Sequence, residues 1–114
     1  MGIKQFEDII AWQKAKILTV MLYRSVASSK DWGFRDQLQR AAVSVMNNIA
    51  EGYERQTNKD FRNFLYIAKG SCAEVRSMLS IAHELKILSP EECGEARTLS
   101  LEISRLLSGF IKKL

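Results

Sequence analysis

The chain has 114 residues, of which 46% are hydrophobic, which is the size and composition of one folded domain. Six glycines and one proline are too few for a β fold with many tight turns, and no apolar run approaches the roughly 20 residues that span a bilayer. The formal net charge of +4 is compatible with a nucleic-acid partner but does not indicate one. We expect a cytoplasmic protein without a membrane partner.

The first predicted helix covers about residues 7–28 and is apolar on more than one side. Ile10, Ile17 and Met21 share one face. A second face carries a longer apolar series, made up of Ala11, Ala15, Leu18, Leu22 and Val26. Because a helix that is apolar on several sides is buried on several sides, this helix requires more than one packing partner.

The second predicted helix covers about residues 32–55 and follows Asp31, a residue type that caps helix N-termini. Its apolar face consists of Phe34, Leu38, Ala41, Ala42, Val45, Ile49 and Gly52. A narrow polar strip runs beside that face at the same helical spacing and is formed by Arg40, Ser44, Asn48 and Glu51.

The third predicted helix covers about residues 58–87, after Thr57 and its capping-box-like partner Asp60. Its seven-residue apolar series are Phe61, Ala68, Val75 and Ala82; Phe64, Ser71, Met78 and Leu85; and Leu65, Cys72 and Leu79. A fourth series, Ile67, Glu74 and Ile81, is mostly apolar, and we expect it to be buried as well. Seven-residue spacing predicts packing at a shallow angle, and four apolar positions exceed what one neighbouring helix needs.

The fourth predicted helix starts at Ser89-Pro90-Glu91-Glu92, with Ser as the cap and Pro at the first helical position. Its apolar seam consists of Ala96, Leu99, Ile103, Leu106 and Phe110. Four long helices with short connections predict an all-α fold, an antiparallel up-down-up-down four-helix bundle that forms a single domain over residues 1–114. The excess apolar surface predicts a closed homo-oligomer, with a monomer bearing wide apolar stripes as the alternative.

The polar strip of the second helix is predicted to be a structural network. If the second and third helices fold back on each other near Thr57, Arg40 lies opposite Glu74, and Ser44 lies near Ser71. Arg can hold a partly buried carboxylate with a two-pronged hydrogen bond, so we expect an Arg40–Glu74 pair that fixes the register. The predicted network comprises Arg40, Ser44, Asn48, Glu51, Ser71 and Glu74.

The alternative for this strip is a catalytic or metal site, with Glu51 and Glu74 as acid and base or as ligands. Di-iron bundles need carboxylates on all four helices and two Glu-x-x-His motifs, whereas this chain has one histidine, His83. The sequence has no Gly-rich phosphate loop or zinc motif, and Cys72 stands in an apolar series, where a core residue is expected. We therefore predict no enzymatic activity, no metal and no cofactor.

Three stretches, FEDIIAWQKA, QLQRAAVSVMNNIAEGYER and FRNFLYIAKGSCAEV, resemble the four-helix-bundle family of proteins encoded within 23S rRNA intervening sequences. The accessory variability proteins of diversity-generating retroelements are similar. The resemblance covers about residues 6–88, although the linker SSKDWGF lacks the Pro and Glu expected there. It implies a bacterial, non-enzymatic bundle that assembles as a ring, typically a homopentamer. For the retroelement relatives it also implies a basic surface that binds nucleic acid and a reverse-transcriptase partner.

A basic stripe is the candidate nucleic-acid-binding surface, and it consists of Arg55, Lys59, Arg62, Lys69 and Arg76. Its last three members recur every seven residues, about 10 Å apart along a helix, at a position that we expect to face outward beside Tyr66. Several parallel stripes in a ring would hold a phosphate backbone without reading its bases.

Two other interpretations of the basic stripe remain open. In the first, the stripe residues are ordinary solvated positions and Arg62 pairs with Glu51. In the second, the stripe contacts acidic residues of a neighbouring copy, namely Glu91, Glu92 and Glu95. The sequence thus predicts an accessory protein that binds RNA or DNA. The alternative is a structural or protein–protein interaction adaptor, whose protein partner the sequence does not identify.

Overall fold

The computed structural model describes residues 2–114, and these residues form four α-helices and one short 3-10 helix, without a strand. The 3-10 helix spans Phe6–Asp8, and the α-helices are α1 (Ile10–Ser25), α2 (Trp32–Tyr53), α3 (Asn58–Glu84) and α4 (Pro90–Lys113). The prediction of an all-α fold with four helices is confirmed. Helix α1 begins later than predicted because the extended backbone of Ile9 separates it from the 3-10 helix.

The starts of α2, α3 and α4 are fixed by the three caps that the sequence predicts. Asp31 Oδ1 accepts a hydrogen bond from Phe34 N, and Thr57 Oγ1 accepts one from Asp60 N, both at 3.1 Å. Ser89 forms a complete capping box with the side chain and backbone of the third helical residue, Glu92. Each cap satisfies backbone N–H groups that have no partner inside the helix.

Each helix packs against two others around one core. α2 contacts α1 and α3, and α4 contacts α3 and α1, whereas among residues 2–114 α1 does not pack against α3, nor α2 against α4. Ser44 contacts Ser71 and Tyr53 contacts Phe61, so residue numbers rise along α2 as they fall along α3. α1 and α3 therefore occupy opposite corners of a molecule that measures 42 × 22 × 20 Å.

The core consists of apolar series that the sequence predicts. The buried residues of α3 include two complete seven-residue series, Phe61, Ala68, Val75 and Ala82, and Leu65, Cys72 and Leu79. The buried face of α1 includes Ala11, Ala15, Leu18, Leu22 and Val26. Because full burial of a Leu, Ile or Val side chain contributes about 1.5–3 kcal/mol, these contacts hold the four helices together.

Two predicted buried series are exposed, one on α3 and one on α1, and Leu85 at the end of a third is 60% exposed. Ile67 and Ile81 on α3 are 53% and 49% exposed, and Glu74 between them is exposed as well. On α1, Ile10 and Ile17 are 52% and 55% exposed. The series lie outside because α2 and α4 already cover the other faces of each helix, so two apolar surfaces remain at opposite corners. Within residues 2–114, no helix has both the length and the apolarity required to cross a membrane.

Candidate nucleic-acid interface

A short hydrogen-bond network joins α2 to α3 at Ser44. Ser44 Oγ and Ser71 Oγ are 2.7 Å apart, and Asn48 Nδ2 donates to Ser44 O at 2.8 Å and to Ser44 Oγ at 3.0 Å. Ser71 is buried, and the other two residues are half-buried. The Ser44–Ser71 hydrogen bond therefore connects the two helices directly, and Asn48 supports Ser44 from one turn along α2.

The predicted Arg40–Glu74 pair is wrong. Arg40 Nε donates to Asp36 Oδ2 at 2.9 Å, one turn earlier on α2, and both side chains are largely exposed. Glu74 is exposed on α3. Since Asp36 lies four residues from Arg40 on the same helix, it binds the guanidinium without any contribution from α3.

Arg55 is held at the connection between α2 and α3. Its Nη2 donates to Glu51 Oε1 at 3.3 Å, and its guanidinium lies 4.7 Å from the centroid of the Phe64 ring. Glu51 thus pairs with Arg55 and not with Arg62. Because this ion pair reduces the charge that Arg55 can offer to a phosphate, Arg55 differs from the other four residues of the basic stripe.

Of the other four residues of the basic stripe, Arg76 contacts α4 directly. Arg76 Nη1 donates to Ser100 Oγ on α4 at 3.2 Å. Arg62, Lys69 and Arg76 are half-buried, and Lys59 is exposed. The predicted outward position therefore holds for Lys59 and Tyr66, which are exposed, but Arg62, Lys69 and Arg76 are partly covered because they flank the buried series of α3 that contacts α4. Within residues 2–114, none of these four cations forms an ion pair.

Helix α4 contributes a basic residue that the sequence analysis missed. Arg97 lies with Ser80 and His83 of α3 around a shallow cleft at the end of the basic stripe, and Glu84 also lines this cleft. Arg97 precedes Ser100 by three residues, which places both on one helix face. That spacing was available in the sequence, but the contact of Ser100 with α3 was needed to show which face it is.

The acids of α4 lie on its other side, toward α1. Glu102 Oε2 pairs with Lys14 Nζ of α1 at 3.0 Å. Glu92 and Glu95 line a cleft between α1 and α4 together with Trp12. The α1–α4 surface is therefore mixed in charge, because Lys14, Lys16 and Arg24 of α1 lie there with these three acids. The three acids lie away from the cations of the basic stripe.

The sequence matches the protein family described as 23S rRNA-intervening sequence protein over residues 7–109. The chain belongs to this family. The match confirms the family resemblance and extends through most of α4, beyond the region in which the resemblance was expected. The likeness to retroelement accessory proteins stays a prediction.

Among solved structures, the fold of this family member is similar to a protein of unknown function from the S23 ribosomal protein family of Bacteroides thetaiotaomicron VPI-5482. The TM-score is 0.85 at 25% sequence identity, over 90% of this chain and 99% of that chain. No match was found among curated proteins. These likenesses establish the family and the fold, whereas the function depends on the chemistry of a site on that fold.

The two acids of the catalytic alternative do not share a site. Glu51 is paired with Arg55, whereas Glu74 stands in the exposed series of α3. Within residues 2–114, no group of three or more His, Cys, Asp or Glu side chains is arranged to hold a metal ion.

Cys72 belongs to the hydrogen-bonded contact between α3 and α4. Ser100 Oγ donates to Cys72 O at 3.1 Å and accepts from Arg76. Burial raises the pKa of the Cys72 thiol from 9.0 to about 11, and the positive charge of Arg76 opposes this effect only in part. The side chain is therefore a neutral thiol at physiological pH, which suits a packing role better than a nucleophilic one.

We expect the raised pKa of Cys72 to make the fold less stable at alkaline pH. Between the unfolded pKa of 9.0 and the folded pKa of about 11, the unfolded chain binds fewer protons, so stability falls as pH rises. At pH 10 the loss from this group is about 1 kcal/mol. Urea unfolding of the wild-type and Cys72→Ala proteins at pH 8 and pH 10 measures it. An equal pH dependence in both proteins would contradict the assignment.

Proposed function

We propose that this chain is an antiparallel up-down-up-down four-helix bundle that assembles as a closed homo-oligomer and binds the backbone of RNA or DNA, without enzymatic activity. The observation that carries the proposal is a set of four cations along α3 that form no ion pair within residues 2–114: Lys59, Arg62, Lys69 and Arg76. The surface that they form beside α4 is called the groove below. The cytoplasm of a bacterium is the proposed location, in line with the family resemblance.

Electrostatics supports a backbone-binding role for this groove. Successive stripe residues seven apart lie about 10 Å from each other along α3. Glu92, Glu95 and Glu102 of α4 lie toward α1, away from these cations, and Glu84 lies only at the far end of the stripe. Lys and Arg side chains that meet phosphates release counterions, which provides affinity for any sequence and makes binding sensitive to salt.

Assembly is supported by the two exposed apolar surfaces at opposite corners. Ile10 and Ile17 mark the α1 surface, and Ile67 and Ile81 mark the α3 surface. Two different surfaces on opposite sides fit a heterologous contact, in which the α1 surface of one copy packs on the α3 surface of the next. Such contacts close into rings when the rotation between copies permits. A pentamer is the count that the family resemblance implies.

A structural adaptor is the second candidate, and a specific surface favours it. The cleft between α1 and α4 has an apolar wall of Trp12, Ile17, Val20 and Met21, with Lys16 and Glu95 at its edge. This surface could bind a protein partner, such as a reverse transcriptase. The adaptor would be favoured by a pull-down that retains a protein partner after nuclease treatment, provided that a variant of the basic stripe retains the same partner as well as wild type does.

We expect neutralisation of Lys59, Arg62 and Lys69 to weaken nucleic-acid binding. Replacing all three by Gln removes three phosphate contacts, so the slope of log K against log salt should fall by about 2 for single strands. Arg76 is left intact because its hydrogen bond to Ser100 joins α3 to α4. Fluorescence anisotropy with labelled RNA and DNA at several salt concentrations measures the slope.

The matched control removes the same charge elsewhere, by Gln at the exposed residues Lys4, Lys30 and Lys112. This control should bind as the wild type does. Equal losses in both triple variants would show that net charge, and not the groove, determines affinity. A stripe variant whose oligomer dissociates would instead indicate that the stripe meets the acids of a neighbouring copy.

A further inference from the structure

An exposed aromatic ring stands in the middle of the basic stripe. Tyr66 is 54% exposed and lies four residues after Arg62 and three residues before Lys69. Residues three and four apart lie on one face of a helix, so the two cations flank the ring at roughly 5 Å along the axis in each direction. Lys59, seven residues earlier, lies on the same line.

Trp32 and Tyr53 have partners within the chain, whereas Tyr66 and Tyr23 have none within residues 2–114, and of these two only Tyr66 stands among the cations of the basic stripe. The guanidinium of Arg35 lies 5.3 Å from the Trp32 ring, and the Tyr53 hydroxyl donates to Ile3 O. Among the described residues, no ring and no cation stacks on Tyr66, and its hydroxyl makes no hydrogen bond. Its ring is therefore available to a ligand.

Tyr66 is also distinct from the exposed apolar surface of α3. Ile67 follows Tyr66 in sequence, and successive residues of a helix point about 100° apart around its axis. The apolar line to which Ile67 belongs continues along α3 through Glu74 to Ile81. The solvent side of α3 thus carries two lines, an apolar line and a line of cations with one aromatic ring. A copy that packs on the apolar line would leave the other line free.

We propose that Tyr66 is a stacking platform for an unpaired base, so that the preferred ligand of the groove is single-stranded RNA or DNA. Positively charged grooves with exposed aromatic rings bind single strands because every base has a face that can stack. A duplex keeps its bases stacked inside and offers only phosphates to Lys59, Arg62 and Lys69. This inference rests on the proposed nucleic-acid binding and adds the class of ligand.

The test compares wild type, Tyr66→Ala and Tyr66→Phe with a labelled single-stranded RNA, the matching single-stranded DNA and a duplex of the same sequence. Tyr66→Ala should lose about tenfold or more in single-strand affinity, because loss of one stacked base has an effect of that size. Its duplex affinity and its salt slope should match wild type, since no charge changes. Tyr66→Phe keeps the ring and should bind as wild type does. The two single strands separate RNA from DNA as the source of the base.

Three outcomes would overturn the inference. Tyr66→Ala could bind single strands as tightly as wild type, or it could lose affinity for single strands and duplex equally. A smaller oligomer for Tyr66→Ala in sedimentation would place the ring in a subunit contact. A wild-type protein that binds neither single strand nor duplex at about 50 mM salt would instead refute the proposed function itself.

Discussion

The Gly52→Val variant is expected to lose about 3 kcal/mol of unfolding free energy, at the upper end of the usual cost of overpacking. A Cβ at position 52 would lie 2.6 Å from Phe64 Cβ and 3.0 Å from Phe61 Cδ1. Phe64 Cβ is attached directly to the backbone of α3, so a rotamer change cannot relieve the contact. Any gain in helix propensity over glycine is below about 1 kcal/mol, and the steric cost exceeds it.

The measurement is thermal or urea unfolding at one fixed protein concentration, because assembly would make stability depend on concentration. For a chain of this size, 3 kcal/mol corresponds to a fall in Tm of roughly 10 °C or more. The control is Gly94→Ala in α4, where an added Cβ meets no atom within 4 Å. That change should stabilise the protein by about 0.5–1 kcal/mol. A Gly52→Val protein as stable as wild type would disprove the close approach of α2 and α3.

The helix starts could be predicted because the signals that set them are local. Asp31, Thr57 and Ser89 each bond to a backbone N–H three residues later, so sequence spacing alone identifies them. The buried faces were readable for a similar reason, since the seven-residue spacing of α3 determines which side chains share a side. What periodicity cannot give is the identity of the element that covers each side.

Ile67 and Ile81 illustrate that limit. Their spacing indicates a surface suited to burial. The same spacing is expected whether that surface packs against a helix of the same chain or against a second copy. Arg40 illustrates another limit. The opposed numbering of α2 and α3 correctly brings Ser44 to Ser71, whose side chains are short and have few alternatives. A long arginine side chain reaches several carboxylates, and Asp36 on its own helix is the one it binds.

The candidate interface was predictable in part. The cations of α3 were identified from their spacing, yet their direction depends on where α4 lies, and only the contact between Arg76 and Ser100 fixes it. Arg97 of α4 lies beyond them, in the cleft that it shares with Ser80 and His83 of α3. Arg55 forms an ion pair with Glu51, four residues earlier. The sequence alone could not decide between this pair and a pair of Glu51 with Arg62 on α3.

Charge placed on either exposed apolar surface is expected to dissociate the proposed oligomer. Ile17→Glu changes the α1 surface and Ile81→Glu changes the α3 surface, and each would bury an unpaired carboxylate in the contact. Every 1.4 kcal/mol of that penalty weakens association about tenfold, so each variant should sediment as a single chain at concentrations where wild type assembles. Both side chains are about half exposed in the single chain, so the fold should persist, as circular dichroism would verify. Asn47→Glu, which adds the same charge on an exposed part of α2, should leave the assembly intact.

Mixing the two variants tests the geometry of the contact. In a heterologous contact, the intact α1 surface of the Ile81→Glu protein can pack on the intact α3 surface of the Ile17→Glu protein, which gives one good interface for each pair. The remaining two surfaces both carry the added charge, so growth should stop at a heterodimer. If α1 packed on α1 and α3 on α3, each variant alone would keep one intact interface and would sediment as a homodimer. A wild-type protein that sediments as a single chain would refute the assembly, and the parallel basic grooves of a ring would not exist.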